Sequence, residues 1–351
     1  MNNDQLASIT NEGAILMGNI FCCDGHSYSS NHFVFSHMHT DHSEKLTKCL
    51  YNGTVYMTKP TRDLLEAIHN EYYGSDTTKI KKQQIQTLDY GESKIILNGG
   101  HKEKITFYES EHVLGASQVE VITDQGKKIV YSGDITPKDI PPENIHTLIL
   151  DSTHGHPQYN KYSEPESVER RFLDKMDDVI HSTKTQPIVI HAHRGKLQEI
   201  MALISEHAEL NEFHFQCSER DIRIANVYRK YHHKIRNNIF DEKSDVAEEQ
   251  RESDWPYIQF TTSFTKNIQE TNGKAFSISL MDSIGGNQIS EGENSSRFAT
   301  TSHADYDDVI NYVDSLNKRP ELIIVDNFRT KQGMSLTQRL RSKGLTVLCQ
   351  P

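Results

Sequence analysis

Basic residues are in the minority: 38 Lys and Arg stand against 49 Asp and Glu, a formal net charge of −11. That balance excludes a basic nucleic-acid tail. Cysteine is scarce as well. The five present (Cys22, Cys23, Cys49, Cys217, Cys349) are odd in number and show no Cys-x-x-Cys spacing, so neither a disulfide framework nor a cysteine zinc knuckle is expected. No apolar run reaches the roughly 18 residues that a membrane-spanning helix needs. The opening stretch, MNNDQLASITNEG, lacks the basic-then-apolar order of a secretory leader. These absences point to a cytoplasmic protein that does not enter a membrane. With 35% hydrophobic residues in 351 and a mean hydropathy of −0.66, the chain can still bury a large core in one long domain or two.

Histidine is abundant: 19 residues, more than the 15 Tyr or 13 Phe. The first half reads as short β-type runs between Gly, Asn and Asp turns, among them Ala14 to Ile20, His32 to Phe35, Thr54 to Met57, Gln118 to Ile122, Lys128 to Tyr131 and Thr147 to Leu150. A helical pattern spans Pro60 to Tyr73, where Leu64, Leu65, Ile68 and Tyr72 recur at helical spacing. From about Ser163 strands and helices alternate as in a doubly wound unit, which reads as a separate α/β domain. Its far end, Ser283 to Arg297, reads as a loop, and the acid-rich run Asp241 to Asp254 reads as an exposed linker. The last stretch returns to strand and helix, with Leu322 to Val325 a buried strand. If the two ends belong together, the middle is an insertion.

The sharpest signal is Phe33-Val34-Phe35-Ser36-His37-Met38-His39-Thr40-Asp41-His42. An apolar strand runs straight into three His and one Asp within six residues, and a tight turn there can aim several imidazoles and a carboxylate at one point. Neutral imidazole and carboxylate are the ligands that Zn²⁺ and related divalent metals prefer. Two further segments supply what a metal pair still lacks. His112 precedes the Gly turn of His112-Val113-Leu114-Gly115-Ala116-Ser117, and the strand Ile129 to Tyr131 ends in Ser132-Gly133-Asp134. A carboxylate at such a strand end can bridge two cations about 3.5–4 Å apart.

These residues resemble the metal motifs of the metallo-β-lactamase fold. Leu148-Ile149-Leu150-Asp151-Ser152-Thr153 is similar to the acidic motif that opens the β-CASP branch, the nuclease group of that superfamily. Ala192-His193-Arg194-Gly195-Lys196-Leu197-Gln198-Glu199 resembles its Gly-Arg-x-Gln-Glu helix start, with Lys196 in place of the Arg, and Thr301-Ser302-His303-Ala304-Asp305-Tyr306 its later histidine motif. The resemblance implies a four-layer αβ/βα sandwich formed by residues 1–157 and 297–351, with a β-CASP α/β cap domain inserted at 158–296. It implies two Zn²⁺ ions: His37, His39 and His112 on one, Asp41 and His42 on the other, Asp134 bridging. Asp151 and His303 would form the pair at the leaving group, His303 as general acid. The implied activity is hydrolysis of phosphodiester bonds in single-stranded RNA by a hydroxide shared by the two zinc ions, leaving 5′-phosphate and 3′-OH ends. A DNA exonuclease and a non-catalytic subunit of an RNA-processing complex are the alternatives. RNA is favoured over DNA because Ser302 to Tyr306 stands closer to the RNA-processing side, and a homodimer or a processing-complex partner is compatible with the resemblance.

One position departs from the pattern. Where RNA-cleaving members carry a further ligand histidine after the last long strand, this chain has Asp326. Its carboxylate can ligate through oxygen, and it can equally cap a helix or turn; both roles stay open. For binding a polyanion, two basic clusters stand out, Arg220 to Arg236 and Arg329 to Lys343. Arg194 and Lys196, at a Gly turn opening a helix, are the candidate substrate-phosphate contacts.

Overall fold

The computed structural model describes residues 6–69, 84–159, 165–182, 187–207, 210, 212–253, 255–263, 276–281, 289–292, 295–299 and 302–351. The chain divides into two compact units, residues 1–160 with 303–351, and residues 161–302. In chain order the first unit opens with β1 (Ala7–Ile9), β2 (Ile15–Met17), β3 (Phe21–Cys23), β4 (His32–Val34), α1 (Thr40–Ser43), α2 (Leu46–Asn52), β5 (Thr54–Met57), α3 (Lys59–Ile68) and β6 (Ile85–Thr87). Then follow β7 (Ser93–Asn98), β8 (His101–Glu109), β9 (Ser117–Ile122), β10 (Lys128–Tyr131) and β11 (Thr147–Leu150).

The second unit contains α4 (Pro165–Ser182), β12 (Ile188–His191), α5 (Lys196–Glu206), β13 (His214–Cys217), α6 (Glu219–Lys230), β14 (Ile239–Asp241), α7 (Asp245–Glu252), β15 (Tyr257–Thr261), β16 (Phe276–Met281), β17 (Ile289–Gly292) and β18 (Ser295–Ala299). The chain returns to the first unit with α8 (Tyr306–Asp314), β19 (Leu322–Asp326), α9 (Gly333–Ser342) and β20 (Val347–Gln350).

The first unit holds two sheets, ordered β1-β2-β3-β4-β5-β6 and β20-β19-β11-β10-β9-β8-β7. Alternation along each strand sends one set of side chains inward. Ile15, Met17, Phe21, Val34 and Tyr56 from the first sheet share a single buried cluster with Ile105, Phe107, Val119, Val121, Ile129, Tyr131, Ile149 and Ile324 from the second. On the second sheet's other face, Val130, Leu148, Leu150, Ile323 and Val325 pack against Val309, Ile310 and Val313 of α8 and Leu336 and Leu340 of α9. β11 joins β19 in parallel, pairing Thr147 with Leu322 and Leu150 with Val325, so the late strands complete the early sheet. The whole is a mixed α/β protein with several sheets.

In the second unit six strands run parallel and β17 pairs antiparallel with β18, in the order β14-β13-β15-β12-β16-β18-β17. Two expectations fail here. The acid-rich run is a helix, α7, because Ser244 caps it by accepting from Ala247 N–H at 3.3 Å and only Ala247 and Gln250 turn inward, leaving the acids exposed. Its single small apolar residue on the buried face hid the period. The expected loop from Ser283 carries the hairpin β17–β18; Ser296, Phe298 and Ala299 are buried against β16, and a Ser-rich strand lacks the β-branched signature. Residues 283–288 of that stretch lie outside the described residues, as does the end of the helix expected to reach Tyr73.

Candidate metal centre

Loops at strand ends carry every residue of the centre. After β4 the chain turns at once into the single turn α1, placing His37 and His42 in the interior (0% and 1% exposed) while the Asp41 side chain is 62% exposed. Gly133 follows β10 with φ +58°, and a Cβ there would stand 2.7 Å from the Ser117 carbonyl oxygen; the backbone must bend this sharply to present Asp134. Gly115, at φ +85°, lets the His112 loop lie against the start of α3, where Thr58 and Thr61 hydroxyls donate to its carbonyl at 2.7 and 2.8 Å. Asp139 links two of these loops. Its carboxylate accepts from Glu111 N–H (2.9 Å) and Thr136 N–H (2.8 Å) and lies 2.8 Å from the Ser110 hydroxyl.

Within this frame His37, His39, His112 and Asp134 bring ligand atoms to within 4.8 Å of one another. His39 Nδ1 lies 3.1 Å from His37 Nε2 and 3.0 Å from His112 Nε2. Asp134 Oδ2 is 3.5 Å from His37 Nε2 and 3.4 Å from His112 Nε2, and its Oδ1 is 3.2 Å from His42 Nε2. A second group, Asp134, Asp151 and His303, meets the same 4.8 Å limit. Among the described residues Asp41 and His42 fall in neither group, although Asp41 Oδ2 is 3.4 Å from His42 Nε2. The buried His42 Nε2 atom faces two carboxylate oxygens, Asp134 Oδ1 at 3.2 Å and Asp41 Oδ2 at 3.4 Å, a setting that suits a cation. Three imidazoles and a carboxylate converging in a buried pocket are the donor set of a borderline divalent metal.

One carboxylate sets the tautomers of two of these histidines. Asp24, 4% exposed and in left-handed backbone (φ +44°), accepts from Ser36 N–H at 2.8 Å, from the Ser36 hydroxyl at 2.5 Å and from His42 Nδ1 at 2.8 Å. His42 Nδ1 therefore carries a proton in either charge state of the ring, and Nε2 is the atom turned toward Asp134, the one whose proton a cation would replace. Because Ser36 has given its only proton to Asp24, its oxygen accepts from His37 Nδ1 at 3.0 Å, and His37 Nε2 is bare. Burial and the neighbouring His42 push the His37 pKa well below its usual value, keeping the ring neutral. For His42, burial opposes a charge, but Asp134 and the hydrogen bonds to Asp134 and Asp24 raise the pKa well above the usual value. Burial works against ionisation of Asp134 too; His42 and His37 outweigh it and hold the carboxyl well below the usual range. The pocket is built to attract positive charge.

Asp151 and His303 lie beside this group. Thr153 N–H and hydroxyl both donate to Asp151 Oδ1 at 2.8 Å, turning Oδ2 toward His303 Nδ1, which stands 3.7 Å from it and 3.8 Å from Asp134 Oδ2. Asp305 fixes the approach: it caps α8 by accepting from Asp307 and Asp308 N–H, both at 3.0 Å, while Ala304 N–H donates to the Ile135 carbonyl at 2.6 Å. Asp326 is placed differently. Its Oδ1 accepts from Phe328 N–H at 2.9 Å and its Oδ2 from the Arg329 guanidinium, so of its two open roles the turn-capping one is seen. In the second unit Lys196 pairs with Glu199 at 2.6 Å, and Arg194 stands two residues before it at the Gly195 turn that opens α5. The basic clusters are largely spent on their own fold: Arg236 donates to the carbonyls of Leu210 and Phe213, Arg229 to that of Ile235, Arg341 to that of Val347, and Lys343 pairs with Asp314.

No family model matches the chain. It is 28% identical over 188 residues to an RNase J-like protein of Methanocaldococcus jannaschii, covering 50% of this chain and 43% of that protein. It is 30% identical over 209 residues to the transcription termination factor FttA of Thermococcus kodakarensis, covering 50% and 30%. A third relative is the cleavage and polyadenylation specificity factor subunit 3-I of Arabidopsis thaliana, 26% identical over 202 residues. The names of these relatives indicate the β-CASP branch of the metallo-β-lactamase superfamily for this chain. The stretches it shares with these relatives make up less than half of each of them. A protein of unknown function from Enterococcus faecalis V583 has the same fold at a TM-score of 0.56 and 12% identity, covering 86% of this chain and 76% of that one.

The residues missed in sequence are those that hold the candidate ligands rather than form them: Asp24, Ser36 and Asp139. Asp24 left one trace, a Cys23-Asp24-Gly25 turn after a short apolar strand. Nothing in the sequence marks Asp139, and Arg329 was read as part of a basic cluster for a polyanion, not as a neighbour of the centre.

Proposed function

We propose that the protein is a zinc-dependent nuclease that hydrolyses phosphodiester bonds of single-stranded RNA, leaving 5′-phosphate and 3′-OH ends. The observation that carries this is the convergence of His37, His39, His112 and Asp134 on one point with Asp151 and His303 adjoining it. On this reading the first unit is the four-layer αβ/βα sandwich, residues 1–157 and 297–351, and 158–296 is the β-CASP cap. The names of the relatives, an RNase J-like protein and a cleavage factor subunit, support RNA as substrate. The protein works in the cytoplasm, alone, as a homodimer or with processing partners, and Arg194 and Lys196 of the cap contact backbone phosphates.

His37, His39 and His112 would hold one ion and Asp41 and His42 the other, with Asp134 shared. When bound, such a pair lowers the pKa of water and neutralises charge growing on the phosphate. The chain's own residues do the rest. Asp24 and Ser36 hold the protons on Nδ1 of His37 and His42, which leaves Nε2 to a cation. Asp134 charges the pocket negatively and so selects for cations. His303 gives a proton to the departing sugar oxygen, and Asp151 orients the imidazole and stabilises its protonated form. The second compact group, Asp134 with Asp151 and His303, favours a second reading, in which the latter two are metal ligands and not a proton-donating pair.

Metal-loaded protein incubated with 5′-labelled single-stranded RNA and DNA tests the proposal through product lengths and ends. RNA cleavage is expected. Cleavage of DNA alone would move the protein to the DNA exonuclease class, and cleavage of neither, with metal bound, would leave a non-catalytic subunit. His303→Ala separates the two readings: a general acid's loss costs about 10²–10⁴ in rate with metal content unchanged, whereas a ligand's loss lowers metal content too.

A further inference from the structure

Arg329 is a buried cation in a pocket otherwise arranged to attract cations. Its side chain is 6% exposed. It sits in the loop after β19, donates to Asp326 Oδ2 and also donates to the Asp24 carbonyl oxygen at 3.0 Å. Asp24 is the residue that grips His42, so the guanidinium stands directly behind the His42 side of the centre. Its positive charge acts on His42 and Asp134, and both partners keep it ionised, since an arginine in proteins does not give up its proton. Both oxygens of Asp326 accept hydrogen bonds, one from Phe328 N–H and the other from Arg329.

The two sides of the centre are therefore unequal. On the His37 side four ligand residues come within 4.8 Å of one another, and the charge of Arg329 reaches this side through the shared Asp134. On the other side the His42 Nε2 atom has Asp41, largely exposed, and the shared Asp134 within 3.4 Å, and the positive charge of Arg329 acts on the ring. Two cations this close in a buried site repel strongly. We propose that Arg329 makes the second metal site the weaker one, so that the protein holds one ion at His37, His39, His112 and Asp134 tightly and a second at Asp41 and His42 exchangeably.

The inference rests on the metal reading above, and the test separates the two. Zn²⁺ is titrated into the metal-free full-length protein in competition with a chromophoric chelator, and Co²⁺ absorption reports the ligand field of each step. Two steps are expected, the second at least about tenfold weaker. Arg329→Met should narrow that gap about tenfold and enlarge the shift in unfolding temperature that the second equivalent produces, whereas Arg329→Lys, which keeps the charge, should preserve the gap. Two equal sites in the wild type, or an unchanged gap in folded Arg329→Met, would overturn the inference and leave the metal centre standing. Failure to bind any metal would overturn both. Should Arg329→Met not fold, the wild-type titration still decides by itself.

Discussion

Asp24→Asn changes one atom and should disarm two ligands at once. The carboxylate is wholly buried and each of its oxygens accepts, Oδ1 from Ser36 N–H and Oδ2 from the Ser36 hydroxyl and His42 Nδ1. An asparagine that keeps its carbonyl on Ser36 N–H must aim its NH₂ at His42 Nδ1 and at the serine oxygen. His42 then has to accept at Nδ1 and carry its proton on Nε2, the atom that faces Asp134. Ser36 accepts from the amide, turns its own proton toward His37 Nδ1, and His37 is likewise protonated on Nε2. Each lost charge-assisted hydrogen bond is worth about 1.5–3 kcal/mol, and removal of such an outer partner typically weakens metal binding by about 10–100-fold. Both metal steps should therefore weaken by that factor in a Zn²⁺ competition titration. Ser36→Ala removes the acceptor of His37 Nδ1 and one donor to Asp24 but leaves the Asp24–His42 bond, so it should weaken the first step more than the second. Wild-type affinities in a folded Asp24→Asn protein would refute the tautomer argument, and so would equal loss of both steps in Ser36→Ala.

Asp139→Ala removes the acceptor shared by Glu111 N–H, Thr136 N–H and the Ser110 hydroxyl; with water able to reach part of that site, urea unfolding should show a loss of about 2–4 kcal/mol, and the first metal step should weaken because the His112 and Asp134 loops are no longer held together. Unchanged metal affinity would show that the loops keep their places without it. At the start of α8, burial and the neighbouring Asp305 raise the Asp308 pKa from 3.8 to about 6. The folded state thus holds a proton that the unfolded state releases, so the stability it contributes is complete below about pH 4 and is lost as the pH rises through 6. Asp308→Asn should flatten that slope and gain about 1 kcal/mol at pH 7, discounting for a half-exposed position; an unaltered pH profile of urea unfolding would contradict the coupling.

The candidate ligands were legible because a metal needs particular side chains, and their types and spacing survive as a pattern in the chain. His37, His39, Asp41 and His42 sit in one turn after an apolar strand, and Gly115 and Gly133 mark the bends that deliver His112 and Asp134. Strands such as Lys128 to Tyr131 and Thr147 to Leu150 were readable for a related reason, being continuous apolar runs buried on both faces. The supporting residues were not legible. Asp139 acts through backbone N–H groups, which every residue has, and Arg329 acts through a partner only three positions away whose meaning depends on where β19 ends. β1, three residues long, lies in the polar opening stretch, and β15 and β16 went unread beside segments with little apolar periodicity.

The parallel pairing of β11 with β19 has a consequence for the order in which the centre is made. His37, His39, His42, His112, Asp134 and Asp151 all precede the second unit in the chain, whereas His303, Arg329 and the strands that complete the second sheet follow it. Synthesis runs at about 5–20 residues per second from the N-terminus. For some seconds, then, a nascent chain carries the principal metal ligands without His303 and without the cation of Arg329. On the proposed reading, a centre assembled in that order would meet its ions before the residue proposed to protonate the leaving group exists, and Arg329 would enter after the first ion.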